Sequence, residues 1–570
     1  MKIMRTMYCI VLLLFLMPML LLGQELRLVP WSGQGSLYLN QQIAADTVAN
    51  GKLPNRVYVL TRGSLYLANA AFTNTGNWTL RLKANDSTTT RKPVVMLYPS
   101  GTGTTPWNPP GSLFSLAGSL SMKNIEVTGY YELVDTNRWN LQGVLITVPS
   151  TTSGINITID SCILSNSNGN HVRTDGVPSV IKVTNSIFAN MGYLGRSNFG
   201  AGKGFDIRNV SCDSLIIVNN TFVNWLDRIV RHYPASGATS TGAIEYFLFD
   251  HNTLVNGTSY HGFLSLGSLG KRAFITNNLL FDPFILGNDS DVSRQAEFIP
   301  SGELDKYGKA RMTWIFSYPN PNVAWKVSNN YYVISDSGQA FYNQFAADGV
   351  TGEGSPLTWH INGKLGADSA NAFKKVTLAL NKIPATMTKL ARWYRAPNGG
   401  MKAKNTPGAW TYGTATTADP YDYDRKSYSW LRDSLNCTYP TTSTVYSGGT
   451  GGYPAGDLNW FPAQKTQWLA NPPSAVEKVN GVPATFSLNQ NYPNPFNPST
   501  TLEYSISKSS HVTLEVFNVL GQSVARLVDE ELMAGTYRTT FDASKMSSGV
   551  YLYRLKAGDF VQTKKMVLTK

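Results

Sequence analysis

The sequence predicts an all-β protein: a right-handed parallel β-helix, or solenoid, followed by a small C-terminal immunoglobulin-like β-sandwich. Three observations predict it. First, a seven-residue window recurs down the middle of the chain. It reads KNIEVTG from Lys123, DSCILSN from Asp160, TNSIFAN from Thr184, VNNTFVN from Val218, DHNTLVN from Asp250, TNNLLFD from Thr276 and SNNYYVI from Ser328. The steps are 37, 24, 34, 32, 26 and 52 residues. The shortest steps match one solenoid coil, and the longer ones fit the same coil with a loop inserted at a corner. Second, an apolar file and an asparagine file keep phase together through these windows. Third, the last 85 residues read as short alternating strands with frequent turns, the pattern of a sandwich.

The window's fifth position is Val127, Leu164, Phe188, Phe222, Leu254, Leu280 and Tyr332. Stacked coils bring these into one inward file that no single coil can bury alone. The second position carries Asn124, Asn185, Asn219, Asn277 and Asn329, with Ser161 and His251 as exceptions. Coils stack at strand spacing, roughly 4.8 Å. At that spacing each second-position amide is expected to donate to the next, as a ladder. Asparagine also suits a corner, because it tolerates left-handed backbone. The handedness rests on the general rule for parallel crossovers.

The chain begins with Lys2 and Arg5 before an apolar run from Ile10 to Leu22, ending near Gly23 and Gln24. This pattern predicts a secretory signal peptide over residues 1–24. The run is short for a spanning helix, which needs about 20 apolar residues. The mature chain is therefore expected to carry no transmembrane anchor.

Net charge is +13. Lys2 and Arg5 supply two, and residues 486–570 supply nine basic against seven acidic groups, another two, leaving +9 in between. That diffuse excess could attract an acidic polymer such as an anionic polysaccharide. No compact basic run of the nucleic-acid type occurs, so no nucleic-acid partner is expected. Of four cysteines, Cys9 lies in the leader, and Cys162, Cys212 and Cys437 cannot all pair. Cys162 falls in register with the repeat and is read as a small core residue. Without CxxC or HExxH, a zinc site has no support.

From Leu26 to about Tyr130 the runs RVYVL, SLYLA, WTLRLKA and PVVMLYP alternate or are β-branched, separated by Gly, Asn and Ser. The stretch NRVYVLTRGSLYLANAAFTNTGNWTLRLKA resembles the opening coils of secreted bacterial right-handed β-helix proteins of the pectate-lyase-like superfamily. Residues 25–55 are the candidate N-terminal cap, covering the exposed strand edges of the first coil. The solenoid proper is expected to run to about Ile334, and the whole module, caps included, over 25–470. Its long inserts are Tyr131 to Gln142, Asn190 to Gly204, His232 to Gly242 and Phe284 to Ala324. Inserts at fixed corners gather on one face, often the binding face.

Asp336 to Cys437 lacks the window and holds Trp359, Trp393, Tyr394, Trp410 and Trp430. It is read as late coils with large loops plus a cap, with a short helix over Ala370 to Leu380. GYPAGDLNWFP, Gly452 to Pro462, resembles a closing signature of exported bacterial β-helix modules. Residues 471–485 are read as a linker.

The terminal segment contains FSLNQNYPNPFNPSTTLEYSI, the VFNVLGQ block, Gly549-Val550-Tyr551 and Lys564-Lys565-Met566-Val567. These blocks, in this order over residues 486–570, resemble the C-terminal sorting domain of the type IX secretion system. The resemblance implies export across the outer membrane of a Gram-negative bacterium of the Bacteroidetes or a neighbouring group. It makes the type IX machinery a partner and gives a secreted or cell-surface location via the periplasm.

The candidate chemistry lies in the middle region. Arg173 follows Asn166 by seven residues, and Arg231 follows Asn224 by seven. Equal offsets from equivalent positions place both on one strand file, outward, with Arg208 of FDIRN close to it. Such a cationic groove suits a uronic-acid polymer. A lyase needs a group that neutralises the uronate carboxylate and a base that takes the neighbouring proton. Arg173, Arg208 or Arg231 are candidates for the first role; His171, His232 or Lys271 for the second. A hydrolase needs two facing carboxylates, for which Asp175 and Asp206 are available. A third reading is a structural or adhesive solenoid in which these arginines only pair with local acids such as Asp206 and Asp227. Calcium is a weaker expectation, from the clustered oxygens of GNDSD, with Asp289 and Asp291, and of DGVTGEG from Asp348.

Overall fold

The computed structural model describes residues 25–97, 111–129, 143–192, 202–232, 242–258, 263–283, 323–344, 372–391, 434–470, 477–479 and 485–569, apart from 77, 168, 209, 389–390, 508–509 and 533–534. The chain divides into two units, Met1–Pro462 and Ala463–Lys570.

Alternating apolar and polar residues make the first unit a stack of three-sided coils. Successive strands go to sheet 1, sheet 2 and sheet 3 in turn, and every strand pair within these sheets is parallel. Sheet 1 has ten strands, from Glu25–Arg27 to Ala324–Ser328. Sheet 2 also has ten, from Leu65–Ala68 to Phe373–Lys375. Sheet 3 has seven, from Phe72–Thr75 to Leu264–Leu266. This is the predicted parallel β-helix.

The windows map onto the corner between sheets 1 and 2. Their fifth positions stack in one register, Val127 on Leu164, then Phe188, Phe222, Leu254, Leu280 and Tyr332. All are buried. The rings of Phe188 and Phe222 lie 5.1 Å apart, close enough for aromatic attraction beyond their burial.

The asparagine ladder sits one position later than expected. Second-position residues from Asn124 to Asn329, Ser161 and His251 included, all turn the corner with φ between 50° and 58°. Their amides do not run to one another. Asn185 donates to Asp160 Oδ1 at 2.7 Å and Asn277 to Asp250 Oδ1 at 2.8 Å. The buried ladder is built by third positions: Asn220 to Asn252 at 3.1 Å, Asn252 to Asn278 at 3.1 Å and Asn278 to Asn330 at 2.8 Å. A second ladder follows the window ends, Asn190 to Asn166 at 2.8 Å, Asn224 to Asn190 at 3.0 Å and Asn256 to Asn224 at 3.3 Å. The physical reason is direction. The left-handed residue turns its own amide to the corner carboxylate, and the next residue points inward along the coil axis.

Helix Leu39–Asn50 buries Leu39 and Ile43 in the core shared with the first coils. Beneath it Asp46 accepts from Arg56 Nε and Nη2, each at 3.0 Å, and from Tyr58 OH at 2.9 Å. Towards the other end, Phe373–Lys375 is a strand paired with Asn330–Val333, where a helix over Ala370 to Leu380 was expected. In that strand Phe373 is buried and Lys374 and Lys375 are exposed. The closing signature does not cover the last coil. It runs back along the outer side of sheet 2: Gly456 N donates to Asn277 O, Asp457 N to Thr253 Oγ1 and Asn459 Nδ2 to Asn219 O. It covers the outward fourth and sixth positions Val223, Val255, Leu279 and Tyr331, which form an apolar cluster with Tyr439, Val445 and Ala455. Trp359, Trp393, Tyr394, Trp410 and Trp430 lie outside the described residues.

The second unit holds two four-stranded antiparallel sheets. Part of the expected linker belongs to it, since Glu477–Val479 pairs with Thr536–Arg538. The NYPNPF block explains itself physically. Asn491 N donates to Tyr553 OH at 2.8 Å and its Nδ2 donates to Thr500 Oγ1 at 2.9 Å. Phe496 N donates to Val567 O, Thr569 N to Phe496 O, and Val567 N to Asn494 Oδ1. The block thus clasps the outer edge of the terminal strand Phe560–Leu568, occupying groups that a free edge would leave open to other chains. The residues of the expected signal peptide lie outside the described ones, and no helix among the described residues is long and apolar enough to cross a membrane.

Candidate functional site

The offset argument predicts one outward file on sheet 3, and the register contains it. Thr147, Arg173, Asp206, Arg231 and Ser265 stack in order across strands Val144–Val148, Asn170–Thr174, Lys203–Ile207, Arg228–His232 and Leu264–Leu266. Arg173 and Arg231 share a file, as expected, but Asp206 stands between them rather than Arg208. Arg208 lies two residues on, its amide bonded to Thr174 O. Like charges two rungs apart with a carboxylate between them are compensated rather than repelled.

The compensation is uneven. Arg173 makes a two-point contact with Asp175, at 2.8 Å and 3.0 Å. That contact holds its guanidinium charged and raises its pKa. Arg231 Nη1 donates to Asp206 Oδ1 at 3.1 Å. Arg208 reaches the same two acids only at longer range, 3.7 Å to Asp175 and 3.8 Å to Asp206. Among the described residues these three guanidiniums approach the same two carboxylates. Arg173 and Arg208 are about one third exposed, and Arg231 is largely covered.

Beside this layer lies a buried group around Asp227, an acid the sequence reading named, with Lys203 and Arg228, which it did not assign. Lys203 Nζ sits 2.8 Å from Asp227, and Arg228 Nε sits 3.2 Å from the same carboxylate, all three buried. Arg228 Nη1 donates to Ser265 Oγ at 2.8 Å. Burial pulls the Lys203 ammonium below its usual pKa, opposed by the charge of Asp227. Asn170 donates to Asp206 Oδ2 at 3.1 Å. The signal that finds these residues is the same counting rule. Asn170 and Arg228 each follow a window-ending Asn by four, and the register aligns both with Lys203. Lys203 itself was hidden by the insert before it. There Gly202, at φ +89°, returns the chain into sheet 3 so tightly that a Cβ would meet Met191 O at 2.7 Å.

The three candidate bases lie elsewhere. His171 is fully buried against Phe188, ring centres 5.5 Å apart, and burial pushes its pKa down to about 3. His232 is buried with Nε2 3.0 Å from Val210 O, and its pKa falls to about 4. Lys271 is exposed on sheet 1, 3.6 Å from Glu245, away from the arginine file. Asp289, Asp291 and the turn from Asp348 lie outside the described residues. Among the described residues no group of three His, Cys, Asp or Glu is placed to hold a metal ion. Cys162, Cys212 and Cys437 are buried free thiols, with burial raising the pKa of each.

Sheet 3 is also where the inserts attach. Segments 130–142, 193–201 and 259–262 all enter it from the corner after sheet 2, and 233–241 leaves it towards sheet 1.

The first unit has a charged face; the second has an address. No curated protein matches the sequence. Residues 490–569 match the family described as the secretion system C-terminal sorting domain. This is the type IX sorting domain read from the sequence, and it marks the chain for export to the cell surface or the extracellular space.

Proposed function

We propose that this exported β-helix protein binds an acidic polysaccharide along the outer face of sheet 3. One observation carries the reading: Arg173 and Arg208 each keep about one third of their side chain exposed on that face. Arg173, Arg208 and Arg231 share Asp175 and Asp206, while Lys203 and Arg228 share Asp227. The upper layer offers two guanidiniums, Arg173 and Arg208, that reach solvent and match carboxylates in shape. The described part of sheet 3 stacks seven strands, a length that suits a chain rather than a small molecule.

Binding is favoured over cleavage because His171 and His232 lie inside the coil, out of reach of a polymer on the face. Purified full-length protein is to be screened against acidic and neutral glycans, following retention, absorbance near the unsaturated-uronate band and reducing-end release. Retention of acidic glycans without either product supports the reading. Unsaturated products identify a lyase, reducing ends alone a hydrolase, and no retention removes the glycan altogether.

A further inference from the structure

The most exposed apolar side chains of the sorting domain are Tyr492, Val519 and Leu520. Tyr492 is 79% exposed and Leu520 80%, with Val519 close behind. Val550 and Leu552 are exposed on the neighbouring strand Gly549–Ala557. The register sets them along one end of the four-stranded sheet. Phe517, the last strand residue before the Val519-Leu520 turn, pairs with Leu552. Leu552 pairs in turn with Lys565 of the terminal strand. Lys565 O accepts from Asn494 Nδ2, and Asn494 lies two residues after Tyr492.

Both turns stand on rigid supports. Asn518 Oδ1 accepts from the amides of Leu520 and Gln522, each at 3.0 Å, and Gly521 supplies the required positive φ of 77°. Tyr492 exchanges backbone hydrogen bonds with Thr501, while the adjacent Asn491 and Phe496 are buried. Apolar residues held outward by such scaffolding are costly to display and mark an interaction surface. Lys565, exposed beside them, sets its charge.

We propose that this end of the domain, centred on Tyr492, Val519 and Leu520 and bordered by Lys565, is the face that docks on the export machinery. The family match makes that machinery the partner that must read the domain. Complementarity requires its receiving surface to be an apolar slot with an acidic rim. The buried residues of the same sequence blocks hold the face in place; the exposed ones make the contact.

The test uses the full chain expressed in a host with a type IX system. Tyr492→Ala and the double variant Val519→Ser/Leu520→Ser are compared with Val561→Ser, an exposed apolar residue at the other end of the same sheet. The fraction of protein outside the cell is read against the periplasmic fraction, with protease resistance of the domain as the folding readout. The expected result is at least a tenfold rise in the periplasmic fraction for the first two variants. Their protease resistance should be unchanged, and Val561→Ser should leave as the parent does. Lys565→Glu tests the rim alone and is expected to retain protein in the periplasm. Export of Tyr492→Ala and Val519→Ser/Leu520→Ser at the parent level would overturn the proposal, as would equal retention of Val561→Ser. A loss of protease resistance in both apolar variants would also overturn it, because these side chains would then be structural.

Discussion

Replacing Asn252 with alanine removes one rung of the inner ladder, and the structure sets the cost. Its Oδ1 accepts from Asn220 N at 3.0 Å and from Asn220 Nδ2 at 3.1 Å. Its Nδ2 donates to Ile217 O at 3.0 Å and Asn278 Oδ1 at 3.1 Å. Asn220 Nδ2 keeps Val183 O and Val218 O, and Asn278 Oδ1 keeps the Asn252 amide. The Asn220 N–H loses the side-chain oxygen that it meets in the buried interior. An orphaned buried donor costs about 1–3 kcal/mol, and each lost but replaceable bond about 1 kcal/mol, for a total of about 3 kcal/mol. Asn185→Gly is the control. Glycine accepts the φ of 55°, and the lost bond to Asp160 is only partly buried, so the cost is about 1 kcal/mol. Solenoids unfold locally, so amide exchange is a better readout than a global midpoint. Protection of the Asn220 amide should fall about 100-fold in Asn252→Ala, and hardly at all in Asn185→Gly. Equal protection in the parent and Asn252→Ala would refute the ladder as a stabilising element.

Stability should fall with acid because of the buried histidines. His171 and His232 have folded pKa values of about 3 and about 4, below the usual 6.5, so the unfolded chain binds more protons between those values and 6.5. Their contribution is complete above pH 6.5 and is lost as pH falls, by up to about 1.4 kcal/mol per unit for each group. His171→Leu should remove about half of the two-histidine slope between pH 4.5 and 6, measured by thermal midpoint; an unchanged slope would contradict the burial argument. Lys203→Met removes the ammonium 2.8 Å from the buried Asp227 carboxylate and is expected to cost about 3 kcal/mol, whereas Arg208→Gln, partly exposed and beyond hydrogen-bond range, should cost less than about 1 kcal/mol. Both are read in denaturant midpoints, and equal effects would mean the two layers are not distinct. Deleting Lys564 to Lys570 removes the partner of Gly549–Tyr553 and of the NYPNPF clasp, so the chain should remain in the periplasm, with the sorting domain protease-sensitive. Normal secretion of that truncation would contradict the assignment of the address.

The fold was legible because coils repeat. One apolar residue per window, from Val127 to Tyr332, sufficed to set the register of sheet 2. Counting seven from Asn166 and Asn224 sufficed to place Arg173 and Arg231 in one file. Counting failed wherever an insert intervened. Arg208 and Lys203 both follow the 193–201 segment, so neither could be aligned until the strand Lys203–Ile207 was seen. The histidines were misjudged for another reason. His171 precedes the inward Val172 at a corner where two successive side chains are buried, so strict alternation points it the wrong way. The ladder was displaced by one residue because asparagine serves two purposes at adjacent positions, turning the chain and bonding along the axis. The path of Gly452 to Pro462 along sheet 2 depends on contacts more than 200 residues apart, such as Asp457 with Thr253, and no local pattern encodes it.

The most direct test of the account is the salt dependence of glycan binding by the full-length protein and by its Arg173→Gln/Arg208→Gln variant. The parent should be retained by a polyuronate and not by a neutral glucan, and retention should weaken steeply as salt rises, since the contact is between charges at a solvated surface. The variant should lose at least tenfold in affinity while its thermal midpoint moves by only a few degrees. Equal binding of parent and variant, or equal retention by the neutral glucan, would contradict a cationic binding face on sheet 3.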